Sequence, residues 1–150
     1  MKNEVRRGAL ARLTIWTGID GPLPLTSGSV GLEYRGRLGH PSSYGLLAAA
    51  LRAGEKGTEF AQFVDGADQV SPPLNGEEVV VGTLSPEYAD AVNSVCLRRG
   101  IGLSVRASAA GEISSSNVVF SKLATVLCEL LKRESVDLQG SELWQMWESA

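Results

Sequence analysis

Apolar residues along this chain recur at two different spacings, and the change from one to the other marks out its elements. From Asn117 to Glu134, Phe120, Leu123, Ala124, Leu127, Leu130 and Leu131 share one side of a 3.6-residue period. Lys122, Glu129 and Lys132 fall mostly off that side, so the segment reads as a long amphipathic helix that must cover something apolar. A second helix is predicted where Ser85 stands as a cap, Pro86 at the first helical position and Glu87 in the first turn. Its stripe is Tyr88, Ala91, Val92, Val95 and Cys96, and Gly100 stops it. A third runs from Pro41 to Gly54 with Tyr44, Leu47, Ala48 and Leu51 on one face. After Gly140, Ser141 caps a last short helix bearing Leu143, Trp144, Met146 and Trp147.

Alternation replaces helical spacing elsewhere. Val5 to Trp16 reads as one imperfect strand, with Ala9, Ala11, Leu13 and Ile15 opposite Arg6, Arg12 and Thr14. Asp20 to Pro24 and Ser27-Gly28 punctuate a loop, and Val30 to Arg37 resumes extended structure. Asp65 to Gly76 is a breaker-rich connection, and the serine-rich stretch Ala107 to Asn117 reads as a flexible loop.

Two stretches match in pattern. Val30 to Val64 and Glu77 to Arg106 each offer a β-rich run, a Pro and a Tyr opening a helix, and Leu-Arg-x-Gly closing it. Two such β-α-β units predict an α+β two-layer sandwich: a βαββαβ, ferredoxin-like core with helices on one face of an antiparallel four-stranded sheet. To that core the chain adds an extra N-terminal strand and C-terminal helices. At 150 residues the whole chain, 1–150, fits one α+β domain able to remove roughly 68–70% of its extended surface from water. Residues 135–150 form a candidate interaction tail.

Composition narrows the function classes. Hydrophobic residues at 43% and charged residues at 21% exclude a wholly disordered chain. The net charge of −3 offers nothing global to nucleic acid, and the aromatic-rich signature of RNA-binding sheets is missing around Tyr34, Arg35, Arg37 and Arg52. Charge is nevertheless uneven, with seven Lys/Arg against three Asp/Glu in Met1 to Arg52 and seven against fourteen in Ala53 to Ala150. No run of 18 apolar residues predicts a membrane span, and a soluble, cytoplasmic protein is expected.

Catalytic and metal chemistry find little support. One histidine and two cysteines without a C-x-x-C pair give no structural zinc spacing, and no cofactor is implied. Cys96 and Cys128 lie on apolar helix faces as buried small hydrophobes. The acid pairs Asp65/Asp68 and Glu77/Glu78 read as solvated loop charge, and no G-x-S-x-G elbow occurs. The chain therefore leans away from enzymes. A small non-catalytic protein-binding module is expected, of the inhibitor, immunity or adaptor type, regulatory in role. A protein partner or self-association would be anchored by Leu143, Trp144, Met146 and Trp147, since Trp and Met favour interfaces. The second candidate is a sensor or enzyme for a small anionic ligand, bearing phosphate or carboxylate. Its site would be the Arg37–Ser43 turn, where Arg37, Gly39, His40, Ser42 and Ser43 precede the expected helix at Pro41. A structural subunit of an oligomeric assembly is the third.

Overall fold

A computed structural model describes residues 2–7, 11–36, 43–60, 79–81, 84–111, 114–133 and 138–150. Within these, seven strands and three helices follow one another as β1 (Lys2–Arg7), β2 (Ala11–Trp16), β3 (Val30–Arg35), β4 (Tyr44–Leu51), β5 (Gly57–Phe60), β6 (Val79–Val81), α1 (Pro86–Arg99), β7 (Gly102–Gly111), α2 (Asn117–Lys132) and α3 (Gly140–Ser149). The strands form one mixed sheet in the order β1-β2-β3-β4-β7-β5. From β1 to β7 every neighbour is antiparallel, whereas β5 runs parallel to β7 along Gly57–Phe60. β6 pairs antiparallel with the other end of β7, at Ala109 to Gly111.

The fold is thus α+β, but the βαββαβ order is not seen among the described residues. Within the segment expected as a helix from Pro41 to Gly54, Tyr44 to Leu51 form the strand β4. Its residues from Tyr44 to Ala49 are all buried, so both of its faces meet apolar neighbours. A segment buried all round carries a continuous apolar run rather than alternation, and such a run matches helical spacing by accident. Among the described residues, only the second repeat, β6-α1-β7, has its helix. Val5 to Trp16 likewise divides into two antiparallel strands, pairing Lys2 with Trp16 and Arg7 with Ala11. Ala107 to Gly111, expected in a loop, extends β7 to ten residues.

Alternation along the strands sorts side chains into two layers. Leu13, Ile15, Leu32, Leu47, Leu103 and Val105 face a layer of all three helices and form the larger core with Val92, Val95, Phe120, Leu123, Leu127 and Trp147. Trp16, Tyr44, Leu46, Ala48, Ala107 and Ala109 belong to a second cluster, joined by Leu23 and Leu25 from the β2–β3 loop. The switch within β7 comes from a bulge. Ala48 pairs with Ala107 and Ala49 with Val105, leaving Arg106 as the extra residue that turns the following side chains over.

In the helical layer α2 lies centrally. Its stripe of Phe120, Leu123, Ala124, Leu127 and Leu130 is buried as expected, and the Ser116 hydroxyl caps it by accepting from the Val119 N–H. Tyr88 stacks on Phe120 near the start of both helices, while Arg99 pairs with Glu129 near their ends, so α1 and α2 run in the same direction. α1 starts at Pro86 and ends at Gly100, whose φ of 66° places it in the left-handed region that glycine favours. No helix among the described residues is long and apolar enough to cross a membrane.

Candidate functional site

The two regions expected to bind prove different in kind. Of the Arg37–Ser43 turn, Arg37, Gly39, His40 and Ser42 lie outside the described residues. Ser43 is buried and enters β4, donating its N–H to the Ser114 carbonyl at 2.8 Å and accepting from the Gly36 N–H at 2.7 Å. The helix whose free N–H groups were to cradle an anion is a strand, so that part of the rationale is corrected. The carboxylate pairs Asp65/Asp68 and Glu77/Glu78 also lie outside the described residues.

The C-terminal aromatic residues turn inward. Leu143, Trp144 and Trp147 are buried in the larger core, and Met146 packs against it half-buried. Tyr34 of β3 stacks on Trp147 with centroids 4.4 Å apart and meets Trp144 edge-on at 6.4 Å. Cations close the two indoles from outside, Arg7 lying 5.6 Å from Trp144 and Lys122 lying 5.4 Å from Trp147. Arg7 also pairs with Glu148. These aromatics dock α3 onto β1, β3 and α2.

Tyr34, Arg35 and Arg52 are likewise engaged within the fold. Tyr34 faces the helices, whereas Arg35 lies on the opposite face, its Nε 3.1 Å from Glu33 Oε1 and its guanidinium 5.3 Å from the Tyr44 ring. The Tyr44 hydroxyl donates to Glu33 Oε2 at 3.0 Å. Burial first, and the Glu33 charge second, push the Tyr44 phenol well above its ordinary range. Arg52 pairs with Glu55 and Glu59.

An open groove runs across the outside of the helical layer. One cavity of about 410 Å³ lies between the C-terminal half of α1 and the N-terminal half of α2, closed by the end of α3. Val95, Arg98 and Arg99 form one wall, Asn117, Val118, Ser121, Lys122 and Thr125 another, and Ser149 and Ala150 the third. A neighbouring cavity of about 350 Å³ shares Arg99, Thr125, Ser149 and Ala150 and continues toward Glu129, Arg133 and Glu142.

Charge is distributed unequally along it. In the second cavity Arg99 pairs with Glu129 and Arg133 with Glu142, so the wall is internally neutralised. The first cavity has three cationic side chains and no carboxylate side chain in its lining. Arg98 is held only by a 3.4 Å bond from its Nε to its own helix, at the Ser94 carbonyl. Lys122 Nζ donates to the Trp147 carbonyl at 3.2 Å, which offsets the carboxyl end of α3. Neither has a carboxylate partner among the described residues. Val118 stands on the rim with 56% exposure. Sequence reasoning missed this site because its residues come from three helices and no local motif joins them. The available signal was Arg98-Arg99 at the end of one predicted helix and Lys122 on the polar side of another.

A further cavity, of about 540 Å³, lies under the β2–β3 loop and is lined by Thr17, Thr26, Ser27, Ser29 and Arg133. Its hydroxyls include a Thr26–Ser29 pair at 3.4 Å, and Arg133 is already engaged by Glu142.

No family model, curated protein or solved structure matches this chain.

Proposed function

We propose that the protein is a non-catalytic protein-binding module whose partner lays an acidic segment into the groove between α1, α2 and α3. The observation that carries this reading is the unbalanced charge of the first cavity. Arg98 and Lys122, neither paired with a carboxylate among the described residues, line one concavity beside the Glu129-paired Arg99, although Ala53 to Ala150, which supplies them, holds seven basic against fourteen acidic residues. Like charges gathered in a concave, partly desolvated site repel one another, and a carboxylate from outside relieves that repulsion. Ser121 and Thr125 add hydroxyl acceptors and Asn117 an amide, so the groove can bond a peptide backbone as well as a side-chain carboxylate. Exposed Val118 offers an apolar contact beside them, and the occupant is an acidic segment carrying at least one apolar residue.

This places the partner contact on the outer surface of the helical layer. α3 takes part through its end, at Ser149 and Ala150, while its Trp144 and Trp147 hold the helix in position. The test is a titration with a synthetic Glu-rich peptide containing one Leu, followed by tryptophan fluorescence. Lys122 lies over Trp147, so a carboxylate drawing it away alters that indole's emission. Binding should weaken steeply with added salt and fall about tenfold in Arg98→Glu, the loss of roughly 1.4 kcal/mol expected for a reversed contact. Saturation by inorganic phosphate or a nucleotide with no response to the peptide would support the small-anion reading instead. Binding unaffected by salt and by Arg98→Glu would exclude this groove.

A further inference from the structure

The sheet has two ends, and they are finished differently. At the β5 end the Gly57 N–H bonds to the Ile101 carbonyl beside β7, so Thr58 points outward, and its N–H is taken by Asn93 Oδ1 of α1 at 3.0 Å. At the other end β1 pairs with β2 alone among the described residues, and none of Lys2–Arg7 shares a backbone bond with any described segment other than β2. Which of its groups lie open follows from the ladder. The Gly36 N–H bonds to the Ser43 carbonyl across β3 and β4, so Arg35 and Glu33 turn their backbone groups the other way, to Arg12 and Thr14 of β2. Leu13 and Ile15 therefore turn theirs to Val5 and Asn3 of β1, and the outward N–H and C=O groups belong to Lys2, Glu4 and Arg6. The side chains of these three lie on the face away from the helices, since Val5 between them packs on the larger core. α3 leaves this edge open. Its Gly140 lies against Val5 and its Glu148 pairs with Arg7, while its Trp147 stacks on Tyr34 of β3, so the helix lies over β2.

We propose that β1 pairs antiparallel with β1 of a second copy of this chain, Val5 opposite Val5 on the two-fold axis, so that two sheets join into one. Opposed residues in an antiparallel ladder turn their backbone groups either both toward the partner strand or both away, so outward residues must meet outward residues. Under that condition two registers pair five of the six residues of β1, either Lys2 to Arg6 or Asn3 to Arg7. The first sets Glu4 against Glu4 and Lys2 against Arg6, and like charges directly opposite destabilise a sheet. The second sets each Glu4 against Arg6 of the other copy, with Val5 on Val5 and Asn3 on Arg7. Charge therefore selects the second. Glu4 already lies 3.2 Å from Arg6 and 3.5 Å from Arg12 of its own chain, which holds its carboxylate on the face where the second copy's Arg6 arrives. Arg6 is 72% exposed and free to turn across the axis. The outward groups of Glu4 and Arg6 then complete four backbone bonds that the single chain leaves to water. One strand edge buries little area, so the dimer forms at high protein concentration and weakens with salt. No residue lining the groove between α1, α2 and α3 belongs to β1, so pairing here and binding there are tested independently.

Sedimentation equilibrium of the full chain, from about 10 μM to about 1 mM, reads the mass directly. The expected result is a weight-average mass that rises from 15.9 kDa toward twice that value and falls back in added salt. Arg6→Glu sets carboxylates opposite each other in this register and should weaken association about tenfold, as should Glu4→Arg for guanidinium groups. Combining Glu4→Arg with Arg6→Glu makes the opposed charges unlike again and should restore the dimer. If a variant fails to fold, a mixture of isotope-labelled and unlabelled wild-type chains decides the register, with filtered NOEs joining the Val5 methyls of the two copies. A mass fixed at 15.9 kDa over the whole range, a dimer unaffected by Arg6→Glu, a folded double variant as weak as the single ones, or NOEs that place Glu4 on the axis would overturn the proposal.

Discussion

Trp16 and Tyr44 hold the sheet face opposite the helices in different ways, and each makes a prediction. Trp16 packs flat over glycine and donates its indole N–H to the Leu23 carbonyl at 2.9 Å, fastening the β2–β3 loop. A methyl at Gly31 would come 2.4 Å from the Trp16 ring, too close to exist without displacement. Gly31→Ala should therefore cost about 1–3 kcal/mol through overpacking, read as a lower denaturant midpoint. Tyr44 is held by a polar bond instead, through Glu33, with both residues buried. Its phenol is raised in the folded state, so the folded chain keeps a proton that the unfolded chain gives up near its ordinary value. The contribution is complete below about pH 10 and is lost as pH rises beyond it. Urea midpoints measured from pH 8 to 11 should fall at the alkaline end. The fall should be shallower in Tyr44→Phe, though not absent, because burial raises the Tyr34 phenol as well. A Tyr44→Phe profile parallel to wild type would show that the phenol is not the group responsible.

Among the elements, α2 is the one whose loss the fold tolerates least, since it covers β3 and β4 and touches both other helices. Leu127 is fully buried in its stripe, and Leu127→Ala should cost about 2–5 kcal/mol in denaturant unfolding. An unchanged midpoint would mean that α2 does not cover the core. α3 supplies Leu143, Trp144 and Trp147 to the same core, so deleting Ser141 to Ala150 should lower the melting temperature. These helices were legible in the sequence because each has one wet face: α1 and α2 carry a periodic stripe beside charged positions, with a serine before the first turn. The strands were legible only where one side is polar. β4 was not, because its neighbours β3 and β7 and the layers above and below bury Leu46 and Leu47 alike, removing the alternation that identifies a strand. Leu51-Arg52-Ala53-Gly54 resembles a helix end for a related reason: Gly54, with φ of 77°, serves a turn after a strand as it would serve one after a helix. β7 was half legible, since its small residues from Ala107 to Gly111 resemble a loop while fitting between two packed layers.

At the scale of the whole molecule, one sheet separates a helical layer from a face filled by Trp16, Tyr44 and the β2–β3 loop, and the groove proposed for the partner lies on the outside of the helices. The uneven charge of the chain was visible in the sequence, but its local reversal around Arg98 and Lys122 was not, because it depends on how α1, α2 and α3 pack. The measurement that tests the account most directly is a backbone amide NMR titration of the full chain with the Glu-rich peptide. The predicted result is a set of salt-sensitive shifts concentrated at Val95 to Arg99, Asn117 to Thr125 and Ser149-Ala150, lost in Arg98→Glu while that variant's remaining spectrum stays that of the folded protein. Shifts centred on the exposed strand β1, or none at saturating peptide, would contradict the groove as the binding surface.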